Sequence, residues 1–270
     1  MTVFNKRYGI VKKYIPDGSK RRSCEPIDKV VFIVAHDTGN RGSTAMQNVN
    51  YYCRTCNNQD NEPNFDCASA HIFVDDKAII ECVPALTGPA EKAQHVRRIV
   101  DADNKLYGCD ANKAAIGVEY CYGPDINADE AYKRYIWVMA YLCFVFDLNV
   151  ECSICGHFLL DPLRRHDPVN ALSYSQRTYD QLLRDIIHEY NICINPKQYN
   201  IIPEFGEKIT TVRLNIRKGL PETTADIVTT VPPGTTLFHT GYVTDGLSVN
   251  GIAKWYVNKD GNFFWGGGVR

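Results

Sequence analysis

This chain lacks an excess of charge of either sign, and it lacks any long apolar run. It has 30 basic and 31 acidic residues among 270, a formal net charge of −1. Nucleic-acid binders carry a basic excess or a basic stripe. The nearest approach is Lys20-Arg21-Arg22 beside Asp17 and Glu25, which reads as a solvated loop, with a partner site as the alternative; no nucleic-acid partner is expected. The longest apolar run, Ile136–Phe146, falls well short of the roughly 20 residues that cross a bilayer. It reads as a buried helix, so no membrane partner is expected. No apolar run of signal-peptide length follows Met1–Arg7, so the chain is expected to stay cytoplasmic until released, with export by a non-classical route as the alternative. No long internal repeat is visible, and the oligomeric state is open, with a monomer expected.

Cysteine is abundant. Eleven are present, an odd number that leaves at least one unpaired. Cys53/Cys56 and Cys152/Cys155 have the CxxC spacing of metal-binding pairs, but about a hundred residues separate them, more than a zinc ribbon spans. Reduced structural thiols, disulfides formed after release and a second metal site are the readings left open.

Hydropathy patterning divides the chain. Residues 1–29 are polar and turn-rich and read as an N-terminal arm. Lys29–Ala35 is a β-branched apolar run that suits a strand buried on both faces. Residues 44–53 are weakly helical. Segments 69–73 and 78–83 bracket Asp75-Asp76 as a hairpin. Residues 115–121 form another strand. Asp129 offers an N-cap for a helix to about Asp147, and Ser173 can cap a second helix carrying Leu182, Leu183, Ile186 and Ile187. A short strand lies within residues 150–157. Residues 191–207, with Pro196, Pro203 and Gly206, read as a linker. From residue 208 to 270, β-formers alternate with turn residues, as in a small all-β, partly open barrel. The fold class is α/β: a central mixed β-sheet flanked by helices over residues 30–190, followed by the small barrel.

His36 ends the first buried strand, His157 follows a short β-like segment, and Asp167 comes ten residues later. A lone histidine after a strand is more often structural. Two imidazoles and one carboxylate with an open fourth position, however, make a catalytic zinc site rather than a closed one. For Asp167 the competing role is a turn before Pro168. His166, His188 and His239 read as surface residues.

Five stretches in order, Ile33–Asn40, Ser69–Asp76, Ala93–His95, Ala115–Cys121 and Gly156–Pro168, resemble the type 2 amidase family, the zinc amidases of phage lysins, bacterial autolysins and peptidoglycan recognition proteins. The likeness covers roughly residues 27–190 and is nearest to the phage or prophage lysin branch. It implies that His36, His157 and Asp167 hold Zn2+ and that Glu119 is the general base on a zinc-activated water. Arg165, where many relatives carry Lys, would steady the oxyanion; its guanidinium does not deprotonate, so it would not donate a proton. Glu119 could instead be a buried carboxylate paired with Arg165. His71 and His95 match pocket-lining positions that would contact substrate or hold neighbouring geometry. The implied reaction is hydrolysis of the amide between N-acetylmuramic acid and L-alanine of peptidoglycan. A non-catalytic peptidoglycan-binding protein is the alternative.

The stretch Val212–Gly219, with Lys254–Val257 and Gly261–Trp265, resembles the opening and closing strands of bacterial SH3-like domains. That resemblance implies cell-wall binding, with Trp255, Tyr256, Phe264 and Trp265 either forming a groove or filling the barrel core.

Overall fold

The structure, a computed structural model, describes residues 4–58, 67–195, 198–223 and 225–270. The chain divides into two compact units, Met1–Pro196 and Lys197–Arg270. Pro196, part of the expected linker, lies outside the described residues.

The first unit is built on a six-stranded sheet. Its strands are β1 (Ile10–Lys12), β2 (Phe32–Asp37), β3 (Ile72–Val74), β4 (Ile79–Glu81), β5 (Ala115–Tyr120) and β6 (Ile154–Gly156), in the spatial order β1-β4-β3-β5-β2-β6. Pairing is parallel everywhere except between β3 and β4, the expected hairpin. β2 is buried along its whole length, which is why its sequence is continuously apolar rather than alternating. The helices are α1 (Ala45–Arg54), α2 (Ala102–Tyr107), α3 (Ala111–Ala114), α4 (Ala128–Val145), α5 (His157–Leu160), α6 (Val169–Tyr174) and α7 (Tyr179–Ile194). The Ile136–Phe146 run lies largely within α4, whose Trp137, Val138, Met139, Ala140 and Leu142 are wholly buried. Among the described residues no helix is long and apolar enough to cross a membrane.

Several expectations need correction. Asn127, not Asp129, caps α4, accepting a hydrogen bond from the Glu130 amide. Asp129 instead reaches Arg177 at 2.8 Å. Thr178 caps α7, and Ser173 lies inside α6. The short segment after β6 is a helical turn. The N-terminal residues are no loose arm. β1 extends the sheet alongside β4, Ile15 is fully buried, and Phe4 packs on Trp137, Tyr141 and Phe144. Nor are Arg21 and Arg22 solvated, although Lys20 beside them is exposed. Arg22 is buried and makes two 2.7 Å hydrogen bonds to the Glu91 carboxylate, and buried Arg21 donates to the Thr55 carbonyl at 3.0 Å. Buried guanidinium groups need partners of this kind.

The second unit carries a six-stranded antiparallel sheet of β7 (Ile202–Ile209), β8 (Leu214–Lys218), β9 (Ile227–Val231), β10 (Thr236–Val243), β11 (Trp255–Val257) and β12 (Asn262–Trp265), ordered β7-β10-β11-β12-β8-β9. Residues 202–207, expected as linker, are therefore strand. Trp255, Tyr256 and Phe264 are buried in two small apolar clusters, and of the four aromatics only Trp265 is half-exposed. Core filling thus accounts for three of the four. His239 is buried against Tyr256 with its Nε2 3.1 Å from Glu204, so it is not a surface residue. His166 and His188 are exposed. All eleven cysteines are free thiols, and the only His/Cys/Asp/Glu group among the described residues able to hold a metal contains no cysteine.

Candidate metal centre

Parallel pairing puts the chemistry in a row. In register, His36 on β2 stands beside Glu119 on β5, and Ala35 stands beside Gly156 on β6, so His157 follows directly alongside His36. Three neighbouring strands thus end in Glu119, His36 and His157 at their carboxyl edge, where α/β sheets present ligands. Asp167 arrives from the loop after α5. Its carbonyl accepts a hydrogen bond from the Phe158 amide at 3.1 Å, which ties the loop back to the turn carrying His157.

The Asp167 Oδ2 atom lies 3.0 Å from His36 Nδ1 and 2.9 Å from His157 Nδ1. All three residues are buried, and their donor atoms lie within 4.8 Å of one another. Around a tetrahedral ion with N and O ligands at 2.0–2.1 Å, donors sit about 3.3 Å apart. The donor set, its spacing and its burial therefore fit zinc. Burial, with His157 nearby, lowers the His36 imidazole to about 4, so it is neutral and able to ligate at pH 7. Burial opposes ionisation of Asp167, but hydrogen bonding to His157 and His36 outweighs it and holds this carboxyl well below the usual range.

A cavity of about 310 Å³ opens on this edge, lined among others by Glu119, Arg165, Thr38, Asn170 and Tyr52. Glu119 Oε2 is buried without a hydrogen-bond partner, and so is Arg165 Nε; the Arg165 charge nonetheless acts on the Glu119 carboxyl, favouring its ionised form. Burial pushes the Glu119 carboxyl well above its usual range, and the Asp167 and Asp37 charges push it further. A cation held by the three ligands would draw it back down.

The structure separates the two remaining histidines. His71 has no exposed surface. Its Nδ1 accepts from the Gly117 amide at 3.0 Å and its Nε2 faces the Glu91 carbonyl at 2.8 Å. Both ring nitrogens thus face backbone groups, one on β5 and one at Glu91. His95 lines the cavity, and its Nδ1 lies 3.0 Å from His36 Nε2.

Sequence reading missed the braces of the site. Asp37 accepts hydrogen bonds from the Gly39 and Ala171 amides, fixing the turn after β2 to α6. From α4, the Tyr135 hydroxyl donates to the His36 carbonyl at 3.0 Å. Asn112 Oδ1 accepts from the His95 and Val96 amides. Asp37 could have been found beside His36 in its Gly-containing turn, whereas nothing local marks Tyr135 or Asn112.

Solved structures share the fold, and two illustrate it. The Staphylococcus aureus hydrolase AmiA in complex with its ligand is 23% identical, covers 69% of this chain and 85% of its own, and gives a TM-score of 0.52. The catalytic domain of XlyA is 22% identical, covers 66% of this chain and 99% of its own, and gives a TM-score of 0.50. No curated protein matches the chain. Residues 26–180, more than half of the chain, match the family described as N-acetylmuramoyl-L-alanine amidase. That span contains the whole His36, His157, Asp167 and Glu119 constellation, and the chain belongs to this family.

Proposed function

We propose that the chain is a zinc-dependent amidase of cell-wall peptidoglycan, hydrolysing the amide between the lactyl group of N-acetylmuramic acid and L-alanine of the stem peptide. The observation that carries the reading is the convergence of His36, His157 and Asp167 within 4.8 Å beside a cavity that also contains Glu119. Zinc, when bound, would supply an acidified water and polarise the scissile carbonyl. Glu119 would accept the proton of the attacking water and pass it to the departing L-alanine nitrogen. Its unpartnered Oε2 leaves it free for that exchange. Arg165, at the cavity wall, would attract the charge growing on the carbonyl oxygen as it turns tetrahedral. The C-terminal unit we read as an SH3-like wall-binding module, on the resemblance of its opening and closing strands.

The test is mass spectrometry of purified peptidoglycan digested by the wild-type chain and by Glu119→Gln. Intact stem peptides bearing a free L-alanine amine, absent with the variant and after chelation, are expected. A new reducing sugar end, or full activity after complete metal removal, would overturn the reading. Wall binding without any cleavage would favour a non-catalytic binding protein.

A further inference from the structure

In the second unit two lysines converge on one tyrosine. Residues two apart in a strand share a face of the sheet. Lys208 on β7 pairs with Leu237 on β10, and Gly206 pairs with His239 two residues along. Further down β10, Tyr242 pairs with Tyr256 of β11. Lys254 lies two residues before Tyr256, and its carbonyl accepts from the Gly266 amide at 2.8 Å, which fixes the backbone there. The side chains meet accordingly. Lys254 Nζ stands 3.7 Å from the centre of the Tyr242 ring and 4.7 Å from that of Tyr256, and Lys208 Nζ stands 5.2 Å from the same Tyr256 ring. His239 packs against that ring too, with the ring centroids 4.7 Å apart.

A ring face attracts an ammonium group, but two ammonium groups drawn to one ring repel each other. Elsewhere in this chain, buried and half-buried cations meet carboxylates: Arg22 with Glu91, Lys92 with Glu25, Arg177 with Asp129. Lys208 and Lys254 are both half-buried, yet among the described residues neither forms an ion pair or donates a hydrogen bond, and the Tyr242 hydroxyl has no partner either. Glu204 shares this face, but its Oε1 is engaged by His239 Nε2 at 3.1 Å. His239 is itself buried, seated over Gly206, where a Cβ would stand 2.9 Å from its Cε1. The fold thus gathers two positive charges over a rigid aromatic floor and leaves them unneutralised.

The ligand that such a site fits is an oxyanion. A planar carboxylate is best held by the fork of an arginine, whereas compact ammonium groups act as point charges on phosphate. A nucleic-acid binder would carry a basic excess, and this chain has a formal net charge of −1.

We propose that this face binds the phosphodiester groups of an anionic wall polymer built of phosphate-linked polyols, with Lys208 and Lys254 holding the phosphate oxygens beside the Tyr242 hydroxyl. The proposal rests on the reading of the second unit as a wall-binding module and names what that module holds; it does not depend on the amidase chemistry of the first unit.

The test is co-sedimentation of the full chain, freed of metal by chelation, with purified walls that carry such a polymer and with the same walls stripped of it by cold hydrofluoric acid. Affinity is expected to fall roughly 10- to 30-fold on stripping, and by a similar factor on intact walls in the double variant Lys208→Gln/Lys254→Gln. Lys208→Arg/Lys254→Arg is expected to keep most of the binding. Equal binding to stripped and intact walls would overturn the proposal and assign attachment to peptidoglycan itself. A folded double glutamine variant that binds intact walls like wild type would overturn it as well, as would equal affinity for duplex DNA. Should the double variant fail to fold, NMR of the wild type titrated with glycerophosphoglycerol decides the matter: the ring resonances of Tyr242 and Tyr256 should shift, and their constancy would overturn the proposal. A chain that cleaves stem peptides yet ignores the phosphodiester refutes this proposal alone, and one that binds it but cleaves nothing refutes the amidase reading alone.

Discussion

Adding one methyl group at Gly117 tests the site without touching any proposed ligand. Gly117 does not have a left-handed backbone conformation, so alanine suits its backbone and the effect is purely one of space. The new Cβ would stand 2.8 Å from His95 Cγ, 2.9 Å from Nδ1 and 3.2 Å from Cβ. Carbon atoms rest at about 3.5 Å or more, so the ring must retreat by roughly 0.7 Å. Asn112 holds the His95 backbone, so the ring has to swing rather than the segment shift. A retreat of roughly 0.7 Å stretches the 3.0 Å contact with His36 past the limit of a hydrogen bond. Overpacking of a core costs about 1–3 kcal/mol. An orphaned buried N–H costs a similar amount, about 1–3 kcal/mol. The two share one cause and will not add fully, so roughly 2–4 kcal/mol of lost stability is expected for Gly117→Ala. Urea unfolding of the metal-free chain measures the stability, and chelator competition measures zinc affinity, which should fall about tenfold. A variant within about 0.5 kcal/mol of wild type, with zinc binding unchanged, would refute the account of how tightly His95 is seated.

Glu119→Gln should cut turnover by about 10²- to 10⁴-fold while making the metal-free chain more stable at pH 7. The sign follows from burial. The folded pKa lies above the ordinary 4.5, so ionising Glu119 costs more in the folded chain than in the unfolded one. That penalty grows as pH rises through 4.5 and vanishes in acid. Thermal melts at pH 7 and pH 4 should thus differ between variant and wild type only at the higher pH; equal melting at both would refute it. Trp137→Ala should cost about 3–5 kcal/mol in urea unfolding, because the indole is fully buried; a cost below about 1 kcal/mol would place Trp137 outside the core. Reductant should leave the melting temperature unchanged, since all eleven cysteines are thiols; a drop would reveal a disulfide.

Sequence shows strands best where burial is two-sided. β2 and β5 stood out because a strand covered on both faces must be apolar throughout. That His36 lies beside Glu119 was not readable, because sheet register depends on partners 83 positions apart in the chain. Helix starts were misplaced by a few residues where two good capping residues competed, Ser173 with Thr178 and Asn127 with Asp129; packing decided between them. The N-terminal segment was hidden by its polarity. β1 has only three residues, none of them buried, and the value of Phe4 depends on an aromatic cluster assembled from α4. His71 and His95 look alike in sequence, yet backbone groups saturate the first while the second meets His36. Arg21 and Arg22 read as solvated for a related reason: Thr55, Ala68 and Glu91, which accept from them, lie far along the chain, although Arg22 also donates to the nearby Ile15 and Asp17.

The place of β1 bears on how this protein is cut. The family match begins at residue 26, and a fragment trimmed there would look complete by similarity. It would lose the strand that covers β4, along with the bonds from the Lys13 and Ile15 amides to the Glu81 and Cys82 carbonyls. It would also lose Phe4, leaving Trp137 and Tyr141 facing a hollow. A raw strand edge beside an unfilled apolar hollow invites chains to pair with one another. The smallest piece that resembles the family is thus smaller than the smallest piece that should stay in solution, and a working fragment would have to begin at or before Phe4.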